Sequence, residues 1–140
     1  MKRLLYLIPL LLLAATRPAP IHLHTTWNGH GAGALDTTTA RAVLLTPLKV
    51  TDDKGTEYTI TRFRFSYRQN SAFQDSSGNI VRNSQLFTRD YFNTNLVDST
   101  WSRIISFELQ PGEAFTVDGV VVKDAKGAKM LAPNLELTIQ

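Results

Sequence analysis

From Arg103 to Gln140 apolar and polar residues alternate between turn residues, the pattern of strands with one buried face. Ile105, Phe107 and Leu109 oppose Ser106, Glu108 and Gln110, Pro111-Gly112 breaks the run, and Glu113 to Val117 resumes it. Val120-Val121-Val122 continues it, and Leu135, Leu137 and Ile139 close the chain with Glu136 and Thr138 on the opposite face. Asp118-Gly119 reads as a bulge inside one strand, Ala114 to Lys123, with a hairpin through Asp124 to Gly127 behind it.

Upstream, Ile21 to Trp27 alternates as a strand, and the glycine-rich stretch from Asn28 through Thr39 reads as a flexible loop. Ala42 to Leu45 regains apolar character as a short strand, which Pro47 limits to an edge or to a break between two short strands. Leu48 to Thr51 then enters an Asp52-Asp53-Lys54-Gly55 turn. The return strand, Thr56 to Arg68, changes phase near Thr61-Arg62; one extra residue there places Tyr58, Ile60, Phe63, Phe65 and Tyr67 on a single buried face. Gln69 to Gln85 is polar enough to read as a long loop with a small ribbon at Ile80-Val81. Thr88 is placed to cap a short helix over residues 88–96. The elements add up to an all-β domain with that one helix, organised as residues 17–41, a flexible lead-in with one strand, and residues 42–140, the β domain.

Composition changes this picture mainly at the amino terminus. Met1-Lys2-Arg3 followed by the apolar run Leu4 to Ala15 and small residues reads as a secretory signal peptide over residues 1–16. The run is shorter than the about 20 residues a membrane-spanning helix needs. Without Lys2 and Arg3, 13 basic residues face 12 acidic ones, so no concentrated positive face points to nucleic acid. The chain has no cysteine, which excludes disulfides and thiol chemistry and suits export to a bacterial periplasm or exterior.

Candidate chemistry is sparse. The three histidines lie within nine positions near the mature start, no nucleophile elbow is present, and no carboxylate spacing singles out a pair, so the reading is non-enzymatic and calls for no cofactor. His22 and His24, two apart on one strand face, are candidate metal ligands for Cu(II) or Zn(II), with His30 or Asp36 folding over them. Arg62, Arg64 and Arg68 on an exposed strand face, with Arg82 in the following loop, form a candidate partner-binding surface. Trp27 and Trp101, at predicted strand ends, are expected to cap the core; exposed, they would point instead to a carbohydrate-binding module.

Tyr58-Thr59-Ile60-Thr61-Arg62-Phe63-Arg64-Phe65-Ser66, Leu86-Phe87-Thr88, Pro111 to Val117, Val121 to Gly127 and Leu135 to Ile139 together resemble the carboxy-terminal domain of the GldM gliding-motility and type IX secretion family. The resemblance implies an immunoglobulin-like β-sandwich in the periplasm, without catalytic residues, that binds an envelope protein or self-associates through an edge strand. The chain departs from that family in carrying a cleavable signal and one domain in place of an anchor, a stalk and several domains. The resulting expectation is an exported binding module with no membrane span after signal cleavage, with a small periplasmic metal-binding protein or a carbohydrate-binding module as alternatives.

Overall fold

A computed structural model describes residues 20–140, so the expected signal peptide lies outside the described residues. Eight strands and two helices follow in the order β1 (Leu23–Trp27), β2 (Gly33–Leu35), α1 (Thr37–Leu44), β3 (Leu48–Asp52), β4 (Glu57–Gln74), β5 (Ile80–Phe92), α2 (Ser99–Glu108), β6 (Ala114–Lys123), β7 (Lys129–Leu131) and β8 (Leu135–Ile139). All eight strands belong to one hydrogen-bonded sheet. Its main path runs β1-β3-β4-β6-β8-β2, with β5 on β4 and β7 on β6, and only the β2–β8 pair is parallel.

This overturns the sandwich expectation: a single curled, mixed sheet forms a half-barrel, and helices rather than a second sheet cover its interior. Connectivity forces the curl. β1 and β2 stand at opposite ends of the six-strand path, yet only residues 28–32 connect them. The sheet must bring its ends together, and the Thr25 hydroxyl on β1 donates to the Pro133 carbonyl just before β8 at 2.7 Å across that closure. The segment expected to be a flexible lead-in therefore supplies two strands and most of a helix to the fold.

Two further elements depart from the alternation reading. Residues 105–109 were expected as a strand and lie in and just after α2, where Ser102, Ile105 and Leu109 are buried and Phe107 is 88% exposed. Ile105 and Leu109, four apart, satisfy a period of 2 and a period of 3.6 equally; Phe107 alone separates the two, and it faces solvent. Asp98 caps this helix, its side chain accepting the Trp101 amide at 2.9 Å. Likewise Ala42 to Leu45 is not a strand: α1, capped by Asp36, buries Ala40, Val43 and Leu44 at helical spacing. Of the helix expected over 88–96, residues 88–92 are instead the end of β5, since the β-forming Phe87, Thr88, Tyr91 and Phe92 find β4 as a partner, and residues 93–96 are irregular.

Other expectations hold. β4 bulges between Ile60 and Arg62, and Tyr58, Ile60, Phe63, Phe65 and Tyr67 are all buried. β6 runs unbroken from Ala114 to Lys123 with Gly119 at φ +56, opposite the second register shift. The core is an aromatic stack in which Phe65 meets Trp27, Trp101 and Phe115 with ring centroids 5.6, 5.1 and 5.7 Å apart. Such contacts contribute about 0.5–1.5 kcal/mol each beyond area burial.

Candidate functional site

Three turns share one construction. In Asp52–Gly55, Asp75–Gly78 and Asp124–Gly127 the Asp Oδ1 accepts the amides two and four residues on at 2.8–2.9 Å, and each Gly holds φ between +81 and +84. The side chain pre-pays the turn, and glycine alone takes the positive φ without strain. The middle turn converts the expected Gln69–Gln85 loop into a hairpin: β4 continues to Gln74, and β5 pairs with it residue by residue from Ile80 to Phe92. Beyond Arg68 the β6 side of β4 has no strand partner among the described residues, so residues 69–86 project as a two-stranded ribbon exposed on both faces.

The inner face of this ribbon carries Phe73, Val81 and Phe87, the outer face Ile80 and Leu86, and all five are exposed apolar side chains. The arginines predicted for partner binding fall on the outer face as expected, with Arg82 joining them because it pairs with Ala72 across the ribbon. Their electrostatic roles differ. Asp90 draws in Arg64 at 3.1 Å and Arg62 at 3.8 Å, while Arg68 and Arg82 meet no carboxylate among the described residues. Arg68 only approaches the Gly112 carbonyl, at 3.5 Å.

At the base of the ribbon the Gln110-Pro111 loop stands against the unpaired edge of β4. Together with Asn70, Ala72, Arg82 and Ser84 it lines an open groove of about 660 Å³. Glu113 pins that loop. Its fully buried carboxylate accepts the Tyr67 hydroxyl and the Gln110 amide at 2.6 Å and the Asn70 amide at 2.8 Å. Burial, with Glu113 alongside, pushes the Tyr67 phenol upward, which keeps it a donor. Glu113 shares its parity with the buried Phe115 and Val117, so the alternation itself places position 113 on the core face without singling out a carboxylate there.

On the inner face Arg89 stacks over the Trp101 ring at 4.9 Å and reaches the Asp98 carboxylate at 2.6 Å, which Tyr91 also donates to at 2.6 Å. Desolvation raises the Asp98 value, but the Tyr91, Trp101 amide and Arg89 hydrogen bonds together outweigh it and hold this carboxyl below the ordinary range. Desolvation and the Asp98 bond push Tyr91 up to about 12. A carboxyl depressed in the folded state contributes stability above its unfolded value that is lost as pH falls through the folded one. Acid unfolding below about pH 4 is therefore expected to be less steep in Asp98→Asn than in the parent, although the variant is weaker at neutral pH. Urea titrations at several pH values check this; parallel curves would remove Asp98 from the acid response.

His22 and His24 line one surface pocket, but no third ligand joins them among the described residues. His24 bonds Asp53 at 2.5 Å across the β1–β3 edge, His30 closes a tight turn onto Trp27, and Asp36 is occupied as a helix cap. His22 lines shallow surface pockets beside Ile21. Among the described residues no three His, Cys, Asp or Glu side chains are arranged to hold a metal ion. Trp27 is fully buried and Trp101 half-covered by Arg89, so neither offers a sugar-stacking platform. No helix among the described residues is long and apolar enough to cross a membrane.

Neither a family model nor a curated protein matches the chain. Fold and surface thus define it as a curled-sheet protein whose distinctive feature is a projecting, uncovered β-ribbon.

Proposed function

We propose that this protein is a non-enzymatic binding module exported to the bacterial cell envelope, and that it holds an extended, acidic segment of a protein partner along the outer face of the β4–β5 ribbon. The observation that carries the reading is the groove between the open β4 edge and Gln110-Pro111, with Arg82 in its lining and Arg68 reaching toward the neighbouring Gly112 carbonyl, both without a carboxylate partner among the described residues. An open strand edge supplies main-chain hydrogen bonds to an added segment, and free arginines select carboxylates bidentately. The motifs resembling the GldM family support an envelope setting for that partner, even though the sandwich they implied is absent.

Crosslinking in the native host, followed by capture on a carboxy-terminal tag and mass spectrometry, tests the reading. One or two envelope proteins in near-stoichiometric amounts are expected. Ala72→Arg, which fills the groove, and Arg68→Glu, which inverts its charge, are each expected to weaken capture about tenfold or more at unchanged melting temperature. A protein recovered alone, or capture indifferent to both substitutions, would overturn the assignment.

A further inference from the structure

The other edge of the ribbon carries a separate message. β5 is paired with β4 along its whole length, and its opposite edge meets no strand among the described residues. The bonds bracketing the β4–β5 ladder, from the Asp75 amide to the Asn79 carbonyl and from the Asn93 amide to the Thr61 carbonyl, fall on odd-numbered residues. By the two-residue period of an antiparallel ladder, the even-numbered residues of β5 turn both N–H and C=O toward the open edge. The strand contains no proline or lysine and no bulge against β4; its charges are Arg82, Arg89 and Asp90.

The side chains of those even-numbered residues share the outer face, and their order is symmetric about Leu86. Six residues to either side lie Ile80 and Phe92, which with Leu86 are 74%, 62% and 67% exposed. Four residues to either side lie Arg82, free of any carboxylate among the described residues, and Asp90. Two residues to either side lie Ser84 and Thr88.

We infer that β5 pairs antiparallel with β5 of a second copy of this chain, about a twofold axis through Leu86, to give one continuous sheet across a homodimer. In this register Leu86 meets Leu86, Ile80 meets Phe92, Ser84 meets Thr88 and Arg82 meets Asp90, so every outer-face pair is apolar, hydroxyl or oppositely charged. Moving the axis by one residue either way sets Arg82 against Thr88 or Phe92, and Ser84 against Leu86 or Asp90. On the inner face the same register opposes Asn83 to Arg89 and Val81 to Tyr91, with no like charges in contact. A twofold axis makes such an interface self-complementary, as an isologous dimer requires. The dimer goes beyond the partner reading and uses the opposite edge of the ribbon, so the two have separate variants.

Sedimentation of the mature chain, from dilute solution to the concentration of an NMR sample, is expected to show a concentration-dependent dimer. The chain has no cysteine, so Leu86→Cys introduces a single thiol. A short bis-maleimide is expected to join two Leu86→Cys chains covalently and to leave Ala72→Cys, on the same face of β4, uncrosslinked. Leu86→Pro deletes an outward amide that the β4 ladder does not use, and is expected to raise the dimer dissociation constant about tenfold or more at unchanged melting temperature. Leu86→Glu, which sets two carboxylates in opposition on the axis, is expected to do the same and serves if the proline variant does not fold. A parent chain that stays monomeric throughout, a dimer indifferent to the folded variants, or equal crosslinking at positions 72 and 86 would overturn the pairing.

Discussion

Replacing Glu113 with Ala is expected to cost about 3–5 kcal/mol of stability, although the residue is charged and borders a loop. The carboxylate is fully buried and serves three donors: the Tyr67 hydroxyl, the Gln110 amide and the Asn70 amide. Alanine leaves the buried Tyr67 hydroxyl and the part-buried Gln110 and Asn70 amides without that acceptor, and each unmet donor that stays buried costs about 1–3 kcal/mol. Part of that cost is relieved as water reaches the site, so the total falls below the sum. Glu113→Gln keeps the volume but sets an NH₂ group against at least one donor, and a loss of about 2 kcal/mol is expected. Tyr67→Phe removes a single hydrogen bond and should cost about 1 kcal/mol or somewhat more, since its acceptor is charged. Urea unfolding measures the order Ala, Gln, Phe. Hydrogen exchange at the Asn70 amide reports whether the base of the ribbon loosens first, as the geometry requires. An alanine variant as stable as its parent would show that the carboxylate is dispensable and that the Gln110-Pro111 wall of the groove stands without it.

Trp27→Ala carries a comparable expected loss, about 3–5 kcal/mol, from a different cause. Trp27 ends β1 where the sheet begins to close on itself. It is fully buried, edge-on to Phe65, tilted against Phe115, and its indole N–H donates to the Thr46 carbonyl at 2.7 Å. Its removal opens a cavity at the center of the aromatic stack and orphans a carbonyl at the end of α1. Trp101→Ala is the internal control: that ring is only partly buried, and its loss should cost about half as much, chiefly through Phe65 and the Arg89 stacking. Thermal melts followed in the near-ultraviolet, where the stacked rings give their signal, separate the two. Equal losses would mean that the core is not centred on Trp27 and that the closure of the sheet rests elsewhere.

The resemblance to the GldM family illustrates what patterns of alternation carry. Every motif quoted for it except Leu86-Phe87-Thr88, read as a helix entry, corresponds to a strand or turn found in the structure. Strands and turns are nonetheless shared by many β architectures, and they do not state which strands are neighbours.

Much of the β architecture was legible in the chain itself. The bulge at Thr61-Arg62 followed from a phase change, because five large side chains on two parities cannot share a core without an inserted residue. The single long β6, with Gly119 in a left-handed conformation, followed from arms too short for a hairpin. The Asp52 and Asp124 turns followed from Asp and Gly spaced three apart, and the same spacing at Asp75-Ser76-Ser77-Gly78 was there to identify the ribbon hidden in the Gln69–Gln85 stretch. Polar composition concealed it, because a strand whose two faces both meet water has no hydrophobic period to display.

Tertiary structure alone decided the rest. Ile105 and Leu109 fit a strand and a helix equally until the neighbouring sheet left a helix-shaped space over Phe65. Sheet closure depended on β2 joining β8 from the far end of the chain, a long-range pairing that three residues cannot advertise locally. The roles of Glu113 and Asp98 depended on donors up to 46 residues away in sequence. Local patterns set which face of each strand is apolar; which faces meet is a property of the whole chain, because burial is shared among residues that only the fold brings together.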